Sequence, residues 1–218
     1  MGRHASRFGL FAGWLVGFAL VAASCGLSPA GDDLQGSADG EACPDVVRPA
    51  PAALELGVVV ESDSDGTTHV LCDVEYTTSP PTSGSHFPVW QACGFYTEPI
   101  RDETAVHSME HGAVWIAYDP DLPVAEVDAI SALVSTDGHY LAAPYPGLEN
   151  PIVLSAWQRQ VAVERISDSA AAAFIATQLG RVSETAPEAG VTCESQLGTP
   201  PFDPDAGYQE IFDQLASG

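Results

Sequence analysis

Hydrophobic and polar positions along the chain predict both strands and helices. Short apolar runs bounded by turn residues predict β-strands at 56–61, 69–76, 113–118, 139–143, 152–156 and 160–166. The turn-like sequence SDSDGTT between the first two runs predicts a hairpin. Helical spacing predicts a helix at 123–135, a second from Asp168 or Ser169 to Leu179, and a short one at 206–215.

The order of these elements indicates the fold class. From residue 113 onward the order is β-α-β-β-(β)-α, which fits a mixed or antiparallel sheet with helices on one face. We therefore expect a single α+β domain, of ferredoxin-like type.

Three parts of the chain differ in composition. In residues 1–24, Arg3 and Arg7 precede an apolar run that ends in small residues. The run is shorter than the ~20 residues of a membrane-spanning helix. This pattern is typical of a secretory signal. The sequence Ala-Ala-Ser-Cys ending at Cys25 is similar to the end of a lipoprotein signal. We expect a lipid anchor at Cys25, with ordinary cleavage as the alternative. Residues 25–53 predict a flexible acidic tether and residues 54–218 the folded domain.

The charge of the chain excludes one class of partner. Seven basic residues, all Arg, stand against 30 acidic residues among 218, for a net charge of −23. A surface this acidic does not bind nucleic acid, because it cannot replace the counterions of the phosphates. It does attract cations.

The signal sequence predicts an exported protein that is attached to a membrane of the bacterial cell envelope.

Four cysteines remain in the chain after Cys25. An even number of cysteines in an exported protein predicts two disulfides, and three connectivities are open. They are widely spaced, without the CxxC pattern of zinc ribbons. The four are Cys43, Cys72, Cys93 and Cys193.

Candidate chemistry is concentrated in three histidines. His86 ends the segment PPTSGSH, and His107 and His111 bracket HSMEH. On a helix, these last two share a face and Glu110 lies near His107. On a strand, Met109 would join them on one face, a donor set that suits copper. The Gly112 that follows slightly favours a short helical turn.

Several segments together resemble a known family. PPTSGSH, WQACGFYTEP, VHSMEHGAVWIAYDP and PYPGLENPIVLSAWQ are similar to Domain of Unknown Function family 3105, a group of exported or membrane-tethered bacterial proteins. Ser85 stands where the family usually has Pro. The resemblance implies little about function. It marks Pro80, Pro81, Thr82, Ser83, Gly84, His86, His107, Glu110, His111 and Gly112.

Three functions fit these residues. The first is binding of a transition metal, with copper favoured, through His86, His107 and His111, with Met109 or Glu110 as a further ligand. The second is a metal-free structural or interaction domain in which the histidines brace a loop. The third is a zinc-dependent hydrolase with Glu110 as base. We expect binding rather than catalysis.

Overall fold

A mixed sheet of six strands forms the centre of the part of the chain that the structure describes. The computed structural model describes residues 46–63 and 66–194, together with 210, 211 and 213. The strands are β1 (Val59–Glu61), β2 (Gly94–Phe95), β3 (Val114–Tyr118), β4 (Tyr140–Pro144), β5 (Ile152–Ala156) and β6 (Arg159–Val163). The helices are α1 (Asp102–Glu110), α2 (Val124–Val134) and α3 (Ser169–Gln178), and a 3-10 turn follows at Gly180–Val182.

The sheet is parallel on one side and antiparallel on the other. Its order is β1-β6-β5-β3-β4-β2, and β4 pairs in parallel with both β2 and β3. The remaining pairs are antiparallel. The prediction of a single α+β domain with a mixed sheet is confirmed. Because β3 and β4 pair directly, the sheet differs from the split βαβ arrangement of a ferredoxin-like fold.

The helices cover both faces of the sheet. Side chains of α2 and α3, such as Ile130 and Phe174, pack with Ile116 and Leu154 in one hydrophobic cluster. Side chains of α1 pack in a second cluster, which includes Trp115 of the same strand β3. Since alternate residues of a strand face opposite sides, α1 lies across the sheet from the other two helices. The expectation of helices on one face therefore holds for α2 and α3 only.

The predicted hairpin between 56–61 and 69–76 is wrong. Strand β1 pairs with β6, about 100 residues later in the chain, and residues 71–76 form no strand. Two backbone bonds instead join His86 to the start of this segment: Val70 N–H donates to the His86 carbonyl, and His86 N–H donates to the Thr68 carbonyl. The Val74 N–H donates to the carboxylate of Glu103. These partners satisfy the backbone in place of a second strand.

Helix α1 is buried on every side, although most of its residues are polar. Its polar groups have internal partners: Thr104 Oγ1 donates to the Arg101 carbonyl, and Ser108 Oγ donates to the Gln91 carbonyl. Two arginines contact the carboxylates of its first turn, Arg48 from the preceding segment and Arg101 beside the helix. The helix can therefore be buried without an apolar stripe.

A tight turn leads from α1 into β3. Gly112 has a φ of +94°, and a Cβ atom built there would lie 2.6 Å from the carbonyl oxygen of Gly180. Only glycine fits this backbone without displacement. The turn fixes His107 and Glu110, in the last two turns of the helix, relative to the sheet.

Some predictions fall outside the described residues. They are the signal segment at 1–24, Cys25, Cys43, most of the tether and most of the helix at 206–215, of which residues 210, 211 and 213 are described and helical. Within the described residues, no helix has the length and apolar character needed to cross a bilayer.

Candidate metal centre

Four side chains from three parts of the chain meet at the last two turns of α1. Each offers one ligand atom, and these atoms all lie within 4.8 Å of one another. His107 and Glu110 come from the helix, and His69 and His86 come from the irregular segment before it, where they form a parallel bridge. Three of the four are buried, and His69 is partly buried.

Backbone carbonyls hold two of the imidazoles. The Nδ1 atom of His86 lies 2.8 Å from the Gly84 carbonyl oxygen, and that of His107 lies 2.7 Å from the Phe87 carbonyl oxygen. A carbonyl can only accept, so both Nδ1 atoms donate their hydrogen. In the neutral rings the lone pair is then on Nε2. Metal-binding histidines are held in this way by a carbonyl or a carboxylate behind the ring.

The Nε2 side of His86 faces a carboxylate. Its buried Nε2 lies 3.0 Å from Oε2 of Glu110, but no hydrogen bond of acceptable geometry is formed there. Two acceptor atoms at this distance repel each other unless a proton or a cation lies between them. Two ligands at about 2.1 Å from one ion and at right angles to each other are about 3.0 Å apart, so this spacing also fits a shared metal.

His107 is neutral in the folded protein. Burial, together with the neighbouring His86, His111 and His69, lowers its pKa to about 2, against the opposing effect of the hydrogen bond to the Phe87 carbonyl. A neutral imidazole is the form that binds a metal. At physiological pH, His107 is therefore already in the protonation state that a metal ligand requires.

The spacing of the three rings is compatible with binding of one ion. The ring centroids of His69, His86 and His107 are 5.0, 4.9 and 4.8 Å apart. A ring bound through nitrogen has its centroid about 3.2 Å from the metal, so two such rings are about 4.5 Å apart at 90° and about 5.2 Å apart at the tetrahedral angle. The observed separations lie between these values.

Two of the residues predicted from the sequence lie outside this group of four. His111 contacts the His107 ring, with 4.8 Å between centroids, and its Nδ1 donates to the Thr192 carbonyl. Burial lowers the pKa of His111. Met109 is fully buried in the hydrophobic cluster that includes Trp115. The strand interpretation that placed Met109 beside the histidines is wrong, because α1 continues through Glu110. Metal binding by any of these residues stays a prediction.

Sequence reasoning missed His69. We assigned it to a strand of a hairpin, whereas it joins His86 through the bridge between the two residues. The contact spans 17 positions of irregular chain, which no periodicity reveals. A histidine that begins an apolar run and precedes the Pro- and Gly-rich segment was the available signal.

Disulfides hold the segments around the cluster. Cys93 and Cys193 are bonded to each other, with their Cα atoms 5.3 Å apart, and Cys72 is also disulfide-bonded. Cys43 lies outside the described residues. The Cys93–Cys193 disulfide attaches the segment that follows the 3-10 turn to the segment that precedes α1.

Fold and cluster together define an α+β domain with a candidate metal centre of three imidazoles and one carboxylate. A family model described as "Protein of unknown function (DUF3105)" matches residues 69–195. The chain belongs to this family, as the motifs around His86 and His107 indicated, and the match begins at His69. The comparisons with curated proteins and with solved structures gave no match.

Proposed function

We propose that the protein binds one transition-metal ion through His69, His86, His107 and Glu110. The observation that carries the proposal is the convergence of four ligand atoms, all within 4.8 Å of one another, with Nε2 of His86 only 3.0 Å from the buried Glu110 carboxylate. A cation bound there would be held by both of these groups. The net charge of −23 favours capture of the ion from solution.

The arrangement supports binding rather than hydrolysis. Four protein ligands would fill all positions of a four-coordinate ion, as in structural zinc sites, whereas catalytic sites leave one position open for water. In the zinc hydrolase hypothesis Glu110 would act as the base, but its carboxylate is one of the four grouped ligands. Burial of three of the four side chains also restricts the approach of a substrate.

The donor set favours a divalent ion. Imidazole nitrogens suit zinc, copper, iron and nickel, and a carboxylate oxygen adds preference for a harder ion. The thioether that favoured copper in the sequence lies in the core at Met109. Copper remains the proposed ion in its divalent state, because Cu²⁺ binds a given set of nitrogen and oxygen donors most tightly among these metals.

Titration with Cu²⁺ and Zn²⁺ tests the proposal on purified protein without a histidine tag. We expect one ion per chain, bound more tightly than micromolar at pH 7.5. Affinity should fall at acidic pH, because protons compete with the metal ion for the imidazole nitrogens and the carboxylate. His107, with its pKa near 2, should contribute nothing to this loss above about pH 3.

The competing outcome is a metal-free bracing role. If neither ion binds more tightly than micromolar, and the melting temperature is the same with and without metal, the histidines only support the loop. Bound ion would raise the melting temperature, since it binds the folded state alone.

We also propose that the protein is exported and attached to the cell envelope by a lipid on Cys25. The support is the sequence of the first 25 residues, with Arg3 and Arg7 before an apolar run that ends in small residues. Labelling of cells with a palmitate analogue should mark the wild-type chain and not the Cys25→Ser variant. Label that persists in the variant would contradict lipidation at this residue.

A further inference from the structure

Outside the four grouped residues, a second pair of potential ligands lies between the cluster and the surface. The Nε2 atom of His111 lies 3.5 Å from Oε2 of Glu188. The side chain of His111 is 3% exposed, and that of Glu188 is 52% exposed. We propose that this pair, the entry pair, captures the metal ion at the surface and passes it to the buried cluster. The inference rests on the proposed metal binding.

The entry pair has the geometry of a chelate. The Nδ1 atom of His111 donates to the Thr192 carbonyl at 2.9 Å, so in the neutral ring Nε2 holds the lone pair on the side of Glu188. Two donors bound at about 2.1 Å to one tetrahedral ion lie about 3.4 Å apart. The observed 3.5 Å matches this spacing and is longer than an ordinary charge-assisted hydrogen bond.

The backbone holds the entry pair next to the cluster. Glu188 N–H donates to the carbonyl of Glu110, and Gly190 N–H donates to the carbonyl of His111. The segment that carries Glu188 is therefore attached to the end of α1, at the residue whose carboxylate belongs to the cluster. The Cys93–Cys193 disulfide fixes the end of the same segment.

Aromatic rings lie between the entry pair and the buried cluster. The rings of His111 and His107 meet edge to face, with 4.8 Å between centroids. The Trp90 ring lies 4.8 Å from the His111 ring and 5.4 Å from the His107 ring. An ion released by the entry pair is thus one ring away from the first ligand of the cluster. The tryptophan also provides an optical signal close to both sites.

Stopped-flow mixing of the purified full chain with Cu²⁺ tests the route, with quenching of tryptophan fluorescence as the readout. Glu188→Gln should lower the association and dissociation rate constants by about 10-fold each, because a charged capture site raises the on-rate by this order and a route serves entry and exit alike. The dissociation constant should stay within about twofold, because the final ligands are intact. His111→Asn, whose amide can still donate to the Thr192 carbonyl, should have the same effect.

Glu184→Gln is the matched control. Glu184 lies four residues earlier, its side chain is 58% exposed, and it pairs with Arg159 instead of a histidine. Its substitution removes the same charge from the same segment, and both rate constants should stay at wild-type values.

Three results would overturn the route. Unchanged rates in Glu188→Gln would show that the ion enters elsewhere, for example past the partly buried His69. If the dissociation constant rises by the same factor by which the association rate constant falls, the entry pair is part of the final site. Equal slowing in Glu184→Gln would reduce the effect to overall charge. If wild type binds no ion at all, the proposed function fails as well, which separates that failure from these three.

Discussion

Replacing His107 with Asn is expected to weaken metal binding by more than about 100-fold, since loss of a residue that merely supports a ligand already costs 10–100-fold. The Asn amide can still donate to the Phe87 carbonyl, as Nδ1 of His107 does at 2.7 Å. The nitrogen that faces the cluster, Nε2, is lost. We therefore expect the melting temperature of the metal-free variant to change little while affinity collapses, measured by isothermal titration and thermal unfolding.

A second substitution at His107 separates metal binding from bracing. In His107→Gln the amide nitrogen lies near the position of Nε2, and the donor to Phe87 is lost. An unpaired buried carbonyl costs about 1–3 kcal/mol, so this variant should lose stability as well as metal affinity. His139→Asn, at a histidine outside the cluster, is the control. Wild-type affinity in His107→Asn would contradict the assignment of His107 as a ligand.

Glu103→Gln is expected to cost about 3–5 kcal/mol of the free energy of unfolding, the usual effect of removing one partner from a buried ion pair. Nη2 of Arg48 lies 2.8 and 3.1 Å from the two carboxylate oxygens of Glu103, and Nε of Arg101 lies 3.2 Å from one of them. The Val74 N–H also donates to this carboxylate. The side chain of Glu103 is fully buried and that of Arg101 is 2% exposed, so water cannot replace the lost charge.

Urea unfolding of the metal-free protein measures this cost. The control is Glu184→Gln, which breaks an exposed pair with Arg159 and should cost about 1 kcal/mol or less. A loss below about 1 kcal/mol in Glu103→Gln would mean that the two arginines are compensated by other groups.

The sequence predicted those elements whose pattern is local. Strand β5 was predicted with its observed bounds, because a short apolar run bounded by turn residues indicates a buried strand. Helix α2 was predicted within one residue at each end from its apolar spacing and Pro123. Helix α1 shows no apolar stripe, because arginines and backbone carbonyls from elsewhere in the chain satisfy its polar side chains, and the sequence indicated only a short helical turn.

Long-range pairings explain the remaining differences. Strand β1 pairs with β6 through contacts between residues about 100 positions apart, and a local hairpin was the simpler interpretation of the sequence. The candidate site shows the same limit. His86, His107 and Glu110 were found from motifs, whereas His69 reaches the cluster through a non-local bridge. His111 is close in sequence, but the Thr192 carbonyl holds its ring outside the group of four.

The contact of Arg48 with the first turn of α1 has a mechanical consequence. Arg48 belongs to the segment that leads back to the N-terminus, and its guanidinium contacts Asp102 and Glu103, whereas Glu110 is at the other end of the helix. Nine helical residues separate the two ends by about 13 Å. A load applied to the chain at Arg48 therefore acts on these ion pairs and on the hydrogen bonds of Leu54 with Asn150. The ion pairs would take up such a load at the end of α1 that is farther from the candidate site.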